Sequence, residues 1–316
     1  MLGQSLDRAT AIGRRVLDWP GDPSAAADSV ALRLAGGLHA LVRRGRLPDL
    51  AALYPPARPP EPEPLRRALA AALAEAGPEL DPWLDGPPQT NEVARSAVLV
   101  SGLLAVAAVW RAPFDLTEIG TSAGLNLILD RYAYDFGGRT FGPADAPLRL
   151  APAWEGPPPP DVPLRIAGRR GVDRAPLDVT AATDREKLLA YVWADQADRL
   201  ARIEAALAAA RADPPPLERA DAADWLPGRL AAIPGPHVVM HSIALQYFPD
   251  EARRRVAAAM AEAGDRATRA APLGWLRYEV EDVAGRPTLR LTLWPGGVDR
   301  LLAEADPHGR RVRWLG

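Results

Sequence analysis

Glu118, Gly120, Gly124 and Asn126 share the run Leu116-Thr-Glu-Ile-Gly-Thr-Ser-Ala-Gly-Leu-Asn-Leu-Ile-Leu-Asp-Arg-Tyr132. Phe114–Ile119 predicts a short strand, the glycines a tight turn, and the following apolar residues a helix. Glycine tolerates positive φ and lets a ligand come close to the backbone. A helix N-terminus beyond it offers unpaired N–H groups and the positive end of a dipole. Such a turn suits a carboxylate, a phosphate or a ribose. A dinucleotide turn wants G-x-G-x-x-G, and the middle glycine that admits a pyrophosphate is missing here. The Lys-Ser/Thr of a P-loop is missing too. The same residues also fit a strand–helix turn that holds no ligand.

With an acid two residues before its first glycine, this run resembles the first motif of class I S-adenosylmethionine-dependent methyltransferases. The resemblance implies that Glu118, Gly120, Thr121, Ser122, Gly124 and Asn126 bind the cofactor S-adenosylmethionine. It further implies an acid at the end of the second strand, where a carboxylate accepts from both ribose hydroxyls. Asp173, in Gly171-Val-Asp173, is the candidate. The usual separation is about 20 residues, so an insertion over 133–163 is needed, and Asp178 competes for the role. Asp221 resembles the third-motif acid that contacts the adenine amino group; alternatively it caps a helix.

Further stretches extend the likeness: Gln89-Thr-Asn-Glu-Val-Ala-Arg-Ser96, Gly171–Asp178, His241-Ser-Ile-Ala-Leu-Gln-Tyr-Phe248, Trp294-Pro-Gly-Gly297 and Pro307-His-Gly309. With the glycine run they make the chain similar to the bacterial DUF2332 family. That resemblance brings no established reaction. It implies a methyltransferase-like domain behind a helical N-terminal segment.

His241 closes the apolar run Val238-Val-Met240. Open parallel sheets bind ligands beyond the carboxyl ends of their strands. His241 is therefore expected on the cleft, as a base taking a proton from the methyl acceptor, with Tyr247 shaping the acceptor pocket. The alternative is a hydrogen-bonded structural histidine and a packed aromatic. Gln89–Glu92 predicts a helix start, with Thr90 or Asn91 as N-cap and Glu92 in the first turn. Asn91 and Arg95 would then share a face. Asn91, Glu92 and Arg95 are candidates to hold the acceptor or the cofactor's carboxylate; capping plus a solvated arginine is the other reading.

Other chemistry is narrowed by composition. No cysteine is present, which excludes thiolate metal sites, disulfides and cysteine nucleophiles. The four histidines (His39, His237, His241 and His308) are scattered, there is no H-E-x-x-H, and no metal is predicted. Ser242 beside His241 makes no triad by itself, and no G-x-S-x-G elbow is read, so a serine hydrolase is not expected. Schiff-base chemistry would need Lys187, the one lysine, which lies among Asp184, Arg185 and Glu186. The net charge of −2 gives no footprint for nucleic acid or an anionic membrane. Neither a leader peptide nor a membrane-spanning run is read, so a cytoplasmic protein is expected.

The elements that must position these residues divide in two. Leu6, Ala9, Ile12 and Val16, then Val30, Leu34, Leu38 and Leu41, recur at helical spacing, and Leu65–Ala76 adds another helix. Residues 1–86 thus read as a helical N-terminal domain, with the proline run Pro55–Pro64 as a stiff connector. Residues 87–316 read as an α/β domain with a mostly parallel sheet, because strands and helices alternate; the methyltransferase resemblance implies that it is three-layered and Rossmann-like. Strands are predicted at 114–119, 164–167, before Asp221, and at 236–240, 274–280, 288–294 and 311–314. Helices are predicted at 96–110, 184–212 and 250–263, and Leu301–Ala305 suggests a short one. A non-catalytic binding protein on the same scaffold is the rival reading.

Overall fold

The computed structural model describes residues 2–25, 27–58, 60–280 and 285–316. Pro59, inside the proline run, lies outside the described residues. The chain forms two compact units, residues 1–90 with 181–204 and residues 91–180 with 205–316. A single boundary near residue 86 did not anticipate that 181–204 join the first unit.

In the first unit the described stretch up to Leu84 holds helices only: α1 (Ala11–Leu17), α2 (Val30–Arg43), α3 (Pro48–Ala51), α4 (Pro62–Glu75) and α5 (Gly77–Leu80), with 3₁₀ turns at Leu2–Ser5 and Asp81–Leu84. Leu34, Leu38 and Leu41 of α2 meet Leu69 and Leu73 of α4 in its core. The proline run is not all connector. Pro62 and Pro64 lie in the first turn of α4, where a missing N–H leaves no hydrogen bond unmade.

The second unit begins with α6 (Arg95–Trp110), which is buried almost all round, as a helix apolar on every face must be. The strands follow: β1 (Phe114–Ile119), β2 (Ala133–Phe136), β3 (Arg139–Phe141), β4 (Arg149–Leu150), β5 (Ala153–Glu155) and β6 (Ile166–Asp173). Then come α7 (Ala182–Ala190) in the first unit and α8 (Ala197–Ala212), which runs across the division. The predicted helix 184–212 is therefore two helices. Residues 181–204 belong with the first unit through specific contacts. The Tyr191 ring fills the space a Cβ at Gly36 would need, and Nδ1 of His39 lies 3.1 Å from the Ala190 carbonyl. The second unit continues with β7 (Leu217–Arg219), α9 (Ala222–Ala232), β8 (His237–Ser242), α10 (Asp250–Arg266), β9 (Leu273–Val280), β10 (Pro287–Trp294), β11 (Val298–Ala305) and β12 (Arg311–Trp314).

Nine strands form one mixed sheet in the order β5-β12-β11-β10-β9-β8-β1-β6-β7. The five from β9 to β7 are all parallel to their neighbours, and β9 to β12 form an antiparallel meander. Leu301–Ala305, expected as a helix, is therefore part of a strand. Side chains alternate across the sheet. Gly102 of α6 approaches Leu276 and Leu289 so closely that a Cβ there would lie 2.5 Å from the Leu276 side chain. The other face carries Ile119, Val239 and Leu273, packed with Leu226 of α9 and Val256 and Met260 of α10. Among the described residues no helix is long and apolar enough to cross a membrane.

The start of β8 is fixed by a buried polar chain. Arg229 Nε donates to Thr117 Oγ1 at 3.1 Å, and Thr117 Oγ1 lies 2.8 Å from His237 Nε2. Burial, with the Arg229 charge adding to it, pushes the His237 imidazole down to about 3. Between about 6.5 and that value the unfolded chain binds a proton that the folded chain refuses. Stability is thus present above pH 6.5 and lost as pH falls. His237→Gln is expected to flatten the fall in melting temperature across this window; an unchanged slope would show that His237 does not cause it.

Candidate functional site

The sequence candidates gather where the parallel strands end. Glu118 lies near the end of β1, 2% exposed, and its Oε2 accepts from Thr121 Oγ1 at 2.6 Å. The chain then turns with Gly120, Ser122 and Gly124 all at positive φ, +68°, +53° and +72°. The α-helix expected after Gly124 does not form. Residues 121–128 are buried in successive turns, followed by one 3₁₀ turn at Leu129–Arg131. No helix dipole therefore points into this turn. Side chains hold it instead: Asn91 Oδ1 accepts from Leu125 N at 2.9 Å, and Asn126 Oδ1 accepts from Ser96 Oγ at 2.7 Å.

The glycines also serve the protein's own packing. A Cβ on Gly120 would lie 2.7 Å from the Ala244 methyl, and one on Gly124 would lie 2.8 Å from Pro215. The space before each glycine is thus filled by a side chain, not by an open ligand cradle.

One feature of this turn corrects the reading that the sequence holds no nucleophile elbow. Gly120-Thr-Ser122-Ala-Gly124 keeps the G-x-S-x-G spacing of a nucleophile elbow, with the serine at positive φ. Ser122 N–H donates to Asp173 Oδ2. The histidines are engaged elsewhere: His39 at the Ala190 carbonyl, His237 at Thr117, His241 at Glu279, and His308 3.5 Å from Glu92.

Of the three acids, Asp173 ends β6 beside β1. Its Oδ2 accepts from Ser122 N and its Oδ1 from Ala175 N, both at 2.9 Å. Asp178 is exposed and turns back on Thr180 N. Asp221 is the N-cap of α9, its Oδ1 accepting from Ala223 N at 2.9 Å. The capping alternative therefore describes Asp221.

α6 begins at Arg95, not at Thr90 or Asn91, and its N-cap Ala94 offers no side-chain bond. Asn91 and Arg95 thus share no helix face. Glu92 is 1% exposed and accepts from Ala94 N. Arg95 is not a solvated arginine. It donates from Nε to the Pro307 carbonyl at 2.9 Å and from Nη1 to the Ser242 carbonyl at 3.1 Å. Among the described residues no carboxylate lies within ion-pair distance of it. Desolvation lowers its pKa, against the pull of nearby Glu92 and Glu279.

His241 differs most from expectation. It is fully buried; its Nδ1 lies 2.7 Å from Glu279 Oε1, and its Nε2 accepts from Trp275 Nε1 at 3.0 Å. With both ring nitrogens engaged it is a structural histidine, not an open base. Tyr247 is 77% exposed, so it is not the packed aromatic of the alternative reading. Glu279 and Trp275 were missed, although one signal pointed to them. Trp275, Arg277 and Glu279 alternate along β9 on one face, and Arg277 and Glu279 are buried charges within an apolar strand. Buried charges keep partners.

A family model described as "Uncharacterized protein conserved in bacteria (DUF2332)" matches residues 1–314. The chain belongs to the DUF2332 family. No curated protein and no solved structure matches it.

Burial pushes the Glu118 carboxyl up to about 8, aided by the Asp173 charge and opposed by the Thr121 hydroxyl and Arg95. The folded chain holds a proton that the unfolded chain releases near 4.5. The resulting stability is complete below that value and lost as pH rises through 8. Glu118→Gln is expected to melt above wild type at alkaline pH, with the gap narrowing toward pH 4.5. A constant gap would mean that Glu118 does not titrate in this window.

Proposed function

We propose that the chain is an S-adenosylmethionine-dependent methyltransferase of the Rossmann-like type. It would bind the cofactor beyond the carboxyl ends of β1 and β6. The observation that carries this reading is Asp173, on the second parallel strand, hydrogen-bonded to Ser122 N in the glycine turn of the first. Two further points support it. The parallel strands lie in the order β7-β6-β1-β8-β9, so the direction of winding reverses between β1 and β8, and ligands favour such a switch point. Asp173 is also only half-buried, and each carboxylate oxygen has one backbone donor. Lone pairs remain for two ribose hydroxyls.

The residues fit such a ligand at the ribose end, through Asp173. Arg95, which has no carboxylate within ion-pair distance among the described residues, suits a ligand carboxylate. Glu118, protonated near neutral pH, would act as a hydrogen-bond donor. When bound, the cofactor would supply an electrophilic methyl group. The chain would supply position and exclusion of water. His241 takes no proton in this scheme, because Glu279 and Trp275 engage it. That same engagement, with Ala244 before Gly120, favours a second reading: a ligand-binding protein without turnover.

S-adenosylhomocysteine is expected to raise the melting temperature, since a ligand of the folded state stabilises by mass action. Asp173→Ala should weaken its binding roughly ten- to hundredfold, from the loss of charge-assisted bonds worth about 1.5–3 kcal/mol. No shift at millimolar ligand would overturn the cofactor assignment. Binding without any transfer of a labelled methyl group across candidate acceptors would favour the second reading.

A further inference from the structure

Residues 243–248 leave β8 in an unusual way. Ile243 has φ +48°, a region costly for a β-branched residue. Such a conformation persists only where its surroundings over-determine it. Ile243 N donates to the Tyr278 carbonyl at 2.8 Å. The next two amides turn onto one carboxylate oxygen: Ala244 N at 2.9 Å and Leu245 N at 3.3 Å both donate to Glu279 Oε1. His241 Nδ1 meets the same oxygen at 2.7 Å. Three donors thus converge on a single buried atom.

The segment so held covers the glycine turn. A Cβ on Gly120 would meet the Ala244 methyl at 2.7 Å and the Phe248 ring at 4.0 Å. Leu245 and Phe248 are half-buried against the core beneath, while Tyr247 points to solvent. Arg95 grips the start of the segment through the Ser242 carbonyl.

We infer that residues 243–248 form a strap latched by Glu279 over the Gly120 turn, and that this strap must lift to admit a ligand there. The admission half rests on the reading that the turn binds a nucleoside ligand; the latch does not. Strain at Ile243 favours release, and the three bonds to Glu279 oppose it. Glu279 is therefore a positioning residue, acting through the strap.

Hydrogen exchange on the ligand-free chain tests the latch. In Glu279→Gln, Ala244 and Leu245 are expected to exchange at least tenfold faster, and Gly120–Ser122 with them, while mid-α10 amides keep their rates. Unchanged rates at Ala244 and Leu245 overturn the latch. Faster rates confined to the strap overturn its covering role. If Glu279→Gln exchanges globally, Glu279→Asp, which keeps the charge and draws the oxygen back, carries the same local expectation. S-adenosylhomocysteine separates the two ideas. Faster association in the variant than in wild type supports gating. Equal association despite faster exchange overturns it. A wild type that binds none of it, beside a variant with faster local exchange, sinks the cofactor assignment and leaves the latch standing.

Discussion

Residues 121–128 are buried yet form neither helix nor strand. A buried N–H or C=O left without a partner costs about 1–3 kcal/mol, so what this stretch does not satisfy within its own turns, as Gly124 N does at the Thr121 carbonyl, it draws from other parts of the chain. Asn91 receives the Leu125 amide and Asp173 receives the Ser122 amide. Tyr132 donates to the Leu125 carbonyl and Tyr134 to that of Leu129. The segment before α6, the end of β6 and the strand β2 are thereby fixed to one turn. The polar cluster at the sheet's carboxyl edge follows from that requirement.

Two buried glutamates mark the edges of this cluster, and they differ in what they receive. Glu118 has a single hydroxyl donor and is pushed toward its neutral form. Glu279 gathers an imidazole and two backbone amides on one oxygen. The first stores a proton at the end of β1; the second organises backbone at the end of β8. Near both lies Arg95, its charge answered at hydrogen-bond distance, among the described residues, by the Pro307 and Ser242 carbonyls.

Much of the sheet was legible because its strands carry their own pattern. Phe114–Ile119, Gly274–Val280, Thr288–Trp294 and Arg311–Trp314 read as strands and are strands. The apolar run to Trp110 reads as a buried helix and is one. Where tertiary pairing overrides local preference, the reading failed. Leu301-Leu-Ala-Glu-Ala305 favours helix by propensity, but its backbone pairs with β10 and β12. Leu125–Leu129 likewise favours helix, yet its polar groups are claimed by Asn91 and by two tyrosines. Contacts such as Ser96 to Asn126 leave no trace in residue spacing, so the part of the site they build was not legible. His241 was found by position, but the glutamate that occupies it lies on a neighbouring strand.

The edge strand β5 pairs in parallel with β12, and Trp154 stacks on Trp314 with ring centroids 5.9 Å apart. β5 therefore emerges from the ribosome long before its only partner in the large sheet has been made. The parallel strands β1, β6, β7, β8 and β9 can assemble as they appear, but residues 153–155 must wait until residue 314 is free. During that interval the chain presents an unpaired strand, with the Trp154 ring packed on Phe136 but not yet on Trp314. Such exposure invites association with other chains. Closure of this edge is a late and long-range event, and it sets how long the nascent protein depends on its surroundings.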